Sequence, residues 1–219
     1  SATVEKEGGS MKRFSSIQFS IDDVVQGLNE KKLTAAVVIP TYNEESTIAN
    51  VTRTLGKNSQ LVRTVYVIDD GSADSTVQTA KEAGAVVLER KKNGTPDYRT
   101  FSGKGFAIWE GVALAREDVV VVYDGDIKNP SIEHITGLLG PLVTDSKIGL
   151  CKASFDRNLY LQQHVIQKHG GRQTEILIKP LMGFLFPALT CFLQPIGGVY
   201  AVRREQLSEL ELLGEAGAD

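Results

Sequence analysis

"VVVVYDGDIKNP", Val119 to Pro130, sets four consecutive valines against an acidic turn. Branched apolar residues in a row, without alternation, suit a strand buried on both faces, as inside a parallel sheet. The run then empties into Asp124-Gly125-Asp126. Carboxylates one residue apart repel each other unless they are solvated or hold something positive. Strand side chains alternate, so Asp124 and Asp126 would face the same way if the strand extended that far. The pair could then chelate a hard divalent cation, Mg²⁺ or Mn²⁺, directly or through water. The other reading is a solvated turn, because Asp-Gly is a common turn dipeptide.

Working outward, "AAVVIP" (35–40), "VRTVYVIDDGS" (62–72) and "AVVLER" (85–90) read as further short buried strands. Between them, "NEESTIANVTRTL" has helical spacing at Ile48, Val51 and Leu55, and "DSTVQTAKEAG" predicts a helix closed by Gly84. "KGFAIWEGVALAR" predicts the helix before the valine strand, with Trp109 packed into the core. "SIDDVVQGLNEKKL" predicts an earlier helix with Ser20 or Asp22 near its start, while residues 1 to about 18, rich in Ser, Gly and charge, are expected to be loose. Alternating strands and helices from 35 to 126 argue for an α/β domain with an open, mostly parallel sheet. The expected division is an N-terminal arm and helix (1–34), a nucleotide-binding half (35–130) and a second half (131–219). Ligands of such sheets sit beyond the carboxyl ends of the strands. "PTYNEE", "DDGSADS" and "DGD" converge there.

The whole chain of 219 residues, 42% hydrophobic and 23% charged, has the composition of a globular domain. A net charge of -3 gives no support for nucleic-acid binding, so an anionic ligand must meet a local basic site. Cys151 and Cys191 are far apart and form no CxxC pair, which suits buried thiols in a reducing compartment. No apolar segment heads the sequence as given, and "PLMGFLFPALTCFL" (180–193) is short and broken by Pro187. The expectation is a cytoplasmic protein without stable membrane association, that stretch forming a core or dimer-interface helix.

Individual residues have competing readings. Asp69 could accept from a nucleobase NH, with Asp70 beside it, or the pair could simply make a turn in which Ser72 or Asp74 caps the next helix. Lys104 between Gly103 and Gly105 suits phosphate, the glycines letting backbone approach it, or else a flexible loop. Glu44 suits a ribose or base contact, although Glu44 and Glu45 are also the acids expected in a first helical turn. Gly171, Arg172 and Thr174 in "HGGRQTE" suit an oxyanion clamp, or a surface arginine with Thr174 as a cap. His134, His164 and His169 show no metal-ligand spacing.

Taken together, "VVIPTYNEESTIANV", "VIDDGSADST" and "VVYDGDI" resemble the glycosyltransferases of GT-A fold, family 2 type. "PDYRTFSGKGFAIWEGV", "LCKASFDRNL", "GGRQTEILIKPL" and "LQPIGGVYAVRRE" narrow this to a resemblance to the glucosyl-3-phosphoglycerate synthases and the related retaining mannosyl-3-phosphoglycerate synthases. The resemblance implies a nucleotide-sugar donor, UDP-glucose or similar, and 3-phosphoglycerate as acceptor. It implies that Pro40, Thr41, Tyr42, Glu44, Asp69 and Asp70 line the nucleoside pocket and that Lys104 meets the diphosphate. Asp124, Gly125 and Asp126 would serve ribose and metal. Gly171, Arg172 and Thr174 would bind the acceptor phosphate, with Asp126, Arg172 and Thr174 carrying catalysis, in a homodimer. Where the family reads "GGEY", this sequence has Gly197-Gly198-Val199-Tyr200 and no carboxylate. The family continues beyond the equivalent of Asp219 with a "GYGVE"-like segment and a metal-binding histidine, so the chain as given is expected to turn over weakly or not at all. The alternatives are a family 2 enzyme acting on a lipid phosphate or polysaccharide, and a non-catalytic nucleotide-sugar binding module.

Overall fold

Apolar runs without alternation need cover on both faces, and the central sheet receives it. The structure, a computed structural model, describes residues 2–4, 12–90, 103–154, 158–161, 164–167, 180–181, 184–185 and 197–207. In chain order its elements are β1 (Ala2–Val4), β2 (Lys12–Phe14), α1 (Ile21–Glu30), β3 (Ala35–Thr41), α2 (Ile48–Leu55), β4 (Thr64–Asp69) and α3 (Thr76–Glu82). There follow β5 (Val86–Glu89), α4 (Lys104–Leu114), β6 (Val119–Val122), α5 (Ile132–Thr144), β7 (Leu150–Ala153), β8 (Asn158–Leu161), β9 (His164–Gln167) and β10 (Tyr200–Arg203). The main sheet has eight strands in the order β2-β1-β7-β10-β6-β3-β4-β5, and β8 pairs with β9 apart from it.

The expected nucleotide-binding half is parallel throughout: β6, β3, β4 and β5 run side by side in one direction. β10 lies antiparallel between β6 and β7. The start of β10 therefore reaches the same sheet edge as the carboxyl ends of β3, β4 and β6. This is the α/β architecture that the strand pattern predicted, extended by an antiparallel flank.

Alternate residues of β3 explain its unbroken hydrophobicity. Val37 and Ile39 join a core with Val24 of α1, Val51 of α2 and Leu139 of α5. Ala36 and Val38 point the other way and pack with Ala107 of α4. Every residue of β3 and β6 is buried. Ser20 caps α1, accepting from the Asp23 amide at 3.1 Å, and Gly84 follows α3 at φ +95°.

The structure departs from expectation in several places. Residues 2–4 and 12–14 are not loose: β1 pairs with β7 and β2 with β1, because backbone pairing at an open edge needs no apolar pattern. Trp109 is 45% exposed, since α4 packs on the sheet through its small residues and turns the indole outward against Phe106. Leu181, Phe184 and Leu185 are exposed rather than core. β6 stops at Val122, so Asp124 and Asp126 lie on the following turn and not on the pleat. Cys151 is fully buried with its thiol pKa pushed up to about 12 by burial, as a small core residue should be, and Cys191 lies outside the described residues. Among the described residues no helix is long and apolar enough to cross a membrane.

The close seat of α4 gives a stability prediction. A Cβ on Gly111 would lie 2.3 Å from Val38 Cγ1 and 2.9 Å from Ile68 Cγ1. Gly111→Ala should cost about 1–3 kcal/mol through overpacking, read as a lower urea midpoint. Gly105, in the same helix with nothing within 4 Å of its added Cβ, provides the control. Gly105→Ala should be neutral or stabilising by up to about 1 kcal/mol.

Candidate active site

The loops after β3 and β4 are tied to each other before they offer anything to a ligand. The Asn43 amide donates to Ser72 Oγ at 2.8 Å, the Glu44 amide to Thr76 Oγ1 at 2.7 Å, and the Glu45 amide to Asp74 Oδ2 at 3.2 Å. In return the Ala73 amide donates to Asn43 Oδ1 at 2.8 Å and the Ser75 amide to Glu45 Oε2 at 2.9 Å. Asn43 adopts φ +55°, a conformation that asparagine tolerates. Much of the polar sequence after these strands is therefore scaffold, and Asp74 does cap the next helix: its Oδ1 accepts from the Thr76 amide at the start of α3 at 3.0 Å and from Thr76 Oγ1 at 2.5 Å, bonds that hold its pKa below the ordinary value.

Asp69 belongs to that scaffold. It is 3% exposed, and its Oδ2 accepts from the amides of Gly71 and Ser72 at 3.0 and 2.9 Å, while Ser72 Oγ donates to Oδ1. Asp70 has a different task. Its Oδ2 accepts from the Gly103 amide at 3.0 Å, and Arg90 donates to its Oδ1. Arg90 also pairs with Glu110 at 2.6 Å and lies 4.5 Å over the Phe106 ring. Asp70 thereby fixes the start of α4, where Gly103 at φ +100° delivers the chain into the helix.

What that start presents is Lys104. The lysine ammonium at a helix N-terminus makes an anion site from charge and dipole together. In this structure Lys104 Nζ donates to Asp124 Oδ1 at 2.5 Å. Pro40, Thr41, Tyr42, Glu44, Asp70, Lys104 and Ala107 line one open cleft of about 340 Å³ at the strand ends. The turn 124–126 forms its neighbouring wall: a Cβ on Gly125 would lie 1.9 Å from Glu44 Oε2 and 3.0 Å from Thr41 Cγ2. Of the residues expected around a donor, all but Asp69 thus meet at this cleft or its wall. Gly171, Arg172 and Thr174, together with His164 and His169 side chains, lie outside the described residues.

The charge balance of this corner is uneven. Glu44 Oε2 is buried and has no hydrogen-bond partner among the described residues. Burial first, then the charges of Asp126 and Asp124, push the Glu44 pKa up to about 7, with Lys104 pulling it down. Three carboxylates facing one ammonium are short of positive charge, which is the chemistry a divalent cation corrects. Among the described residues no group of three His, Cys, Asp or Glu side chains is arranged to hold a metal. Asp124 and Asp126 are hard oxygen donors in a corner with excess negative charge, so the residues present would fit Mg²⁺ or Mn²⁺ as part of its shell.

Glu44 yields a pH prediction with a definite sign. Its folded pKa near 7 lies above its ordinary 4.5, so the folded state binds that proton more tightly. The stabilisation is complete below the ordinary value and is lost as pH rises through about 7. Thermal midpoints from acid to mildly alkaline pH should therefore fall in the wild type relative to Glu44→Gln. Parallel curves would contradict this.

Sequence reasoning missed Lys152 and Tyr200, both at this edge. Lys152 is 8% exposed, donates to the Gly197 carbonyl and lies 5.4 Å from the Tyr200 ring centre. Burial lowers its pKa to about 8 against the pull of Asp124. The available signal was a lone charge inside the apolar strand "LCKA". His134 has no place in a metal set: its Nδ1 is 2.7 Å from the hydroxyl of the fully buried Tyr123, and burial lowers its pKa.

Comparison with known proteins places the fold in a family. The model of glycosyl transferase family 2 matches residues 36–193. The chain is 38% identical over 181 residues to a glucosyl-3-phosphoglycerate synthase of Mycobacterium tuberculosis, covering 81% of this chain and 56% of that protein. A crystal structure of the Mycobacterium tuberculosis synthase in complex with Mn²⁺, UDP-glucose and phosphoglyceric acid superposes with a TM-score of 0.70 at 34% identity, covering 90% of this chain and 64% of that one. The mannosyl-3-phosphoglycerate synthase of Rubrobacter xylanophilus gives a TM-score of 0.74 at 26% identity over 89% of this chain and 60% of that one. The chain spans somewhat more than half the length of the curated relatives it matches.

Proposed function

The chain belongs to glycosyl transferase family 2, and on that premise we propose that it transfers glucose from UDP-glucose to 3-phosphoglycerate with retention at the anomeric carbon. The observation that carries this reading is the cleft at the strand ends, where Tyr42, Glu44, Asp70 and Lys104 meet beside the turn 124–126. The relatives that share this architecture are named for that reaction, and one of them binds UDP-glucose and phosphoglyceric acid together with Mn²⁺.

In this reading Tyr42, with about half its surface exposed, and Pro40 offer a face to the uracil, and Glu44 and Asp124 serve the ribose. Lys104, standing at the start of α4, gives up Asp124 for the diphosphate. Asp124 and Asp126 hold Mg²⁺ or Mn²⁺, which when bound offsets the charge of the departing diphosphate. Gly171, Arg172 and Thr174 take the phosphate of the acceptor, so that its hydroxyl enters on the face from which UDP leaves. No enzymic nucleophile is required, because positioning and charge complementarity carry the transfer. The exposed Leu181, Phe184 and Leu185 support assembly as a homodimer, and the buried free thiol of Cys151 supports work in the cytoplasm.

The test is a panel of radiolabelled UDP-glucose, GDP-glucose and GDP-mannose, each with 3-phosphoglycerate or with a polyprenyl phosphate and Mg²⁺. Incubations are long enough to register slow turnover. Label from UDP-glucose should appear in an anionic hexosyl phosphoglycerate. Label transferred only to the lipid phosphate, or UDP-glucose left unbound, would overturn the proposal.

A further inference from the structure

A lysine buried in a sheet needs a reason, because an ammonium removed from water costs several kcal/mol unless its surroundings replace the lost hydration. Lys152 of β7 is such a residue. The pairing of β7 with β10 does not depend on it, since the backbone already supplies that register and the Ala153 amide donates to the Val199 carbonyl at 3.0 Å. Its ammonium instead reaches past the strand end to the Gly197 carbonyl, over the ring of its register partner Tyr200. The next residue, Gly198, is pressed against the donor site: a Cβ there would lie 2.3 Å from Asp124 Oδ1 and 2.9 Å from Lys104 Nζ.

We propose that Lys152 is a positioning residue for the donor site, holding the Gly197–Gly198 turn so that its bare Cα backs the Asp124–Lys104 pair. The inference rests on the donor reading above. Asp124 then meets its ligands from a fixed direction, because the carboxylate is confined between Lys104 on one side and the clamped turn on the other. The charge of the half-buried Asp124 in turn favours the ionised form of the buried lysine across the turn.

The test compares wild type, Lys152→Met and Lys152→Arg by calorimetric titration with UDP in Mn²⁺, and by amide hydrogen exchange at residues 197–200. Lys152→Met should weaken UDP binding roughly tenfold and speed exchange at Gly198 and Val199, while exchange in β3 and β6 is unchanged. Lys152→Arg, which keeps a cation that can donate to Gly197 and stack on Tyr200, should recover most of both effects. A purely packing role would be satisfied by methionine and would not distinguish the two variants. Wild-type affinity and exchange in Lys152→Met, or an arginine variant no better than methionine, would overturn the inference. Should Lys152→Met fail to fold, Lys152→Gln, a shorter neutral donor, takes its place with the same expected losses. A wild-type protein that does not bind UDP overturns the donor reading instead, and exchange at 197–200 still decides the clamp.

Discussion

Asp126→Ala is expected to reduce Mn²⁺-supported UDP affinity by roughly a hundredfold or more, while the fold stays within about 0.5 kcal/mol of wild type. The asymmetry follows from where the residue sits. Asp126 is exposed on the turn after β6, so folding gains little from it. Supporting residues around a bound metal commonly cost ten- to a hundredfold in affinity when removed, and a direct ligand should cost at least as much. The same change removes the largest of the three carboxylate charges that raise the Glu44 pKa, so the pH dependence ascribed to Glu44 should weaken in this variant. Calorimetry with Mn²⁺ and with chelator, beside a thermal melt, checks both halves. Unchanged metal-dependent affinity would remove Asp126 from the site.

Gly198→Ala is expected to lower donor affinity on the order of tenfold or more with only a small loss of stability. The collision would be with the ends of side chains: Asp124 Oδ1 at 2.3 Å, Asp124 Cγ at 3.0 Å and Lys104 Nζ at 2.9 Å. Such ends can move, so the core is spared. Moving them, however, separates the cation and carboxylate that the donor must find in register. Gly198 does not have a left-handed φ, so the effect is steric rather than conformational. UDP titrations and urea denaturation on one variant separate the two quantities. A variant that binds UDP like wild type would show that the turn does not confine Asp124.

The parallel half of the fold was legible in the sequence because burial on both faces leaves a plain mark. "AAVVIP" and "VVVV" cannot alternate when α4 covers one side of the sheet and α1, α2 and α5 the other. The antiparallel flank was not legible. β1 and β2 join through backbone pairing at an edge, which imposes no side-chain pattern, and β7 and β10, four residues each, pair from positions far apart in the chain with no tight turn to announce it. The cleft was legible as a convergence of strand ends, and Pro40, Thr41, Tyr42, Glu44, Asp70 and Lys104 do meet there. Asp69 stands back from the cleft, because its carboxylate accepts from the amides of its own turn, and that role has the same sequence context as a ligand contact. Lys152 is marked in the sequence only by its lone charge in "LCKA", because its partner is the carbonyl of Gly197, and a backbone acceptor 45 residues away has no side-chain signature of its own.

The central claim is that metal and nucleotide meet at the turn 124–126 beside Glu44, and paramagnetic broadening locates them directly. Substoichiometric Mn²⁺ added to ¹⁵N-labelled protein with saturating UDP should erase the amide signals of Glu44, Gly125, Asp126 and Gly198 first. Signals from α1, on the far face of the sheet, should survive, and omitting UDP should weaken the effect. Broadening centred elsewhere, or the same broadening without UDP, would contradict the account.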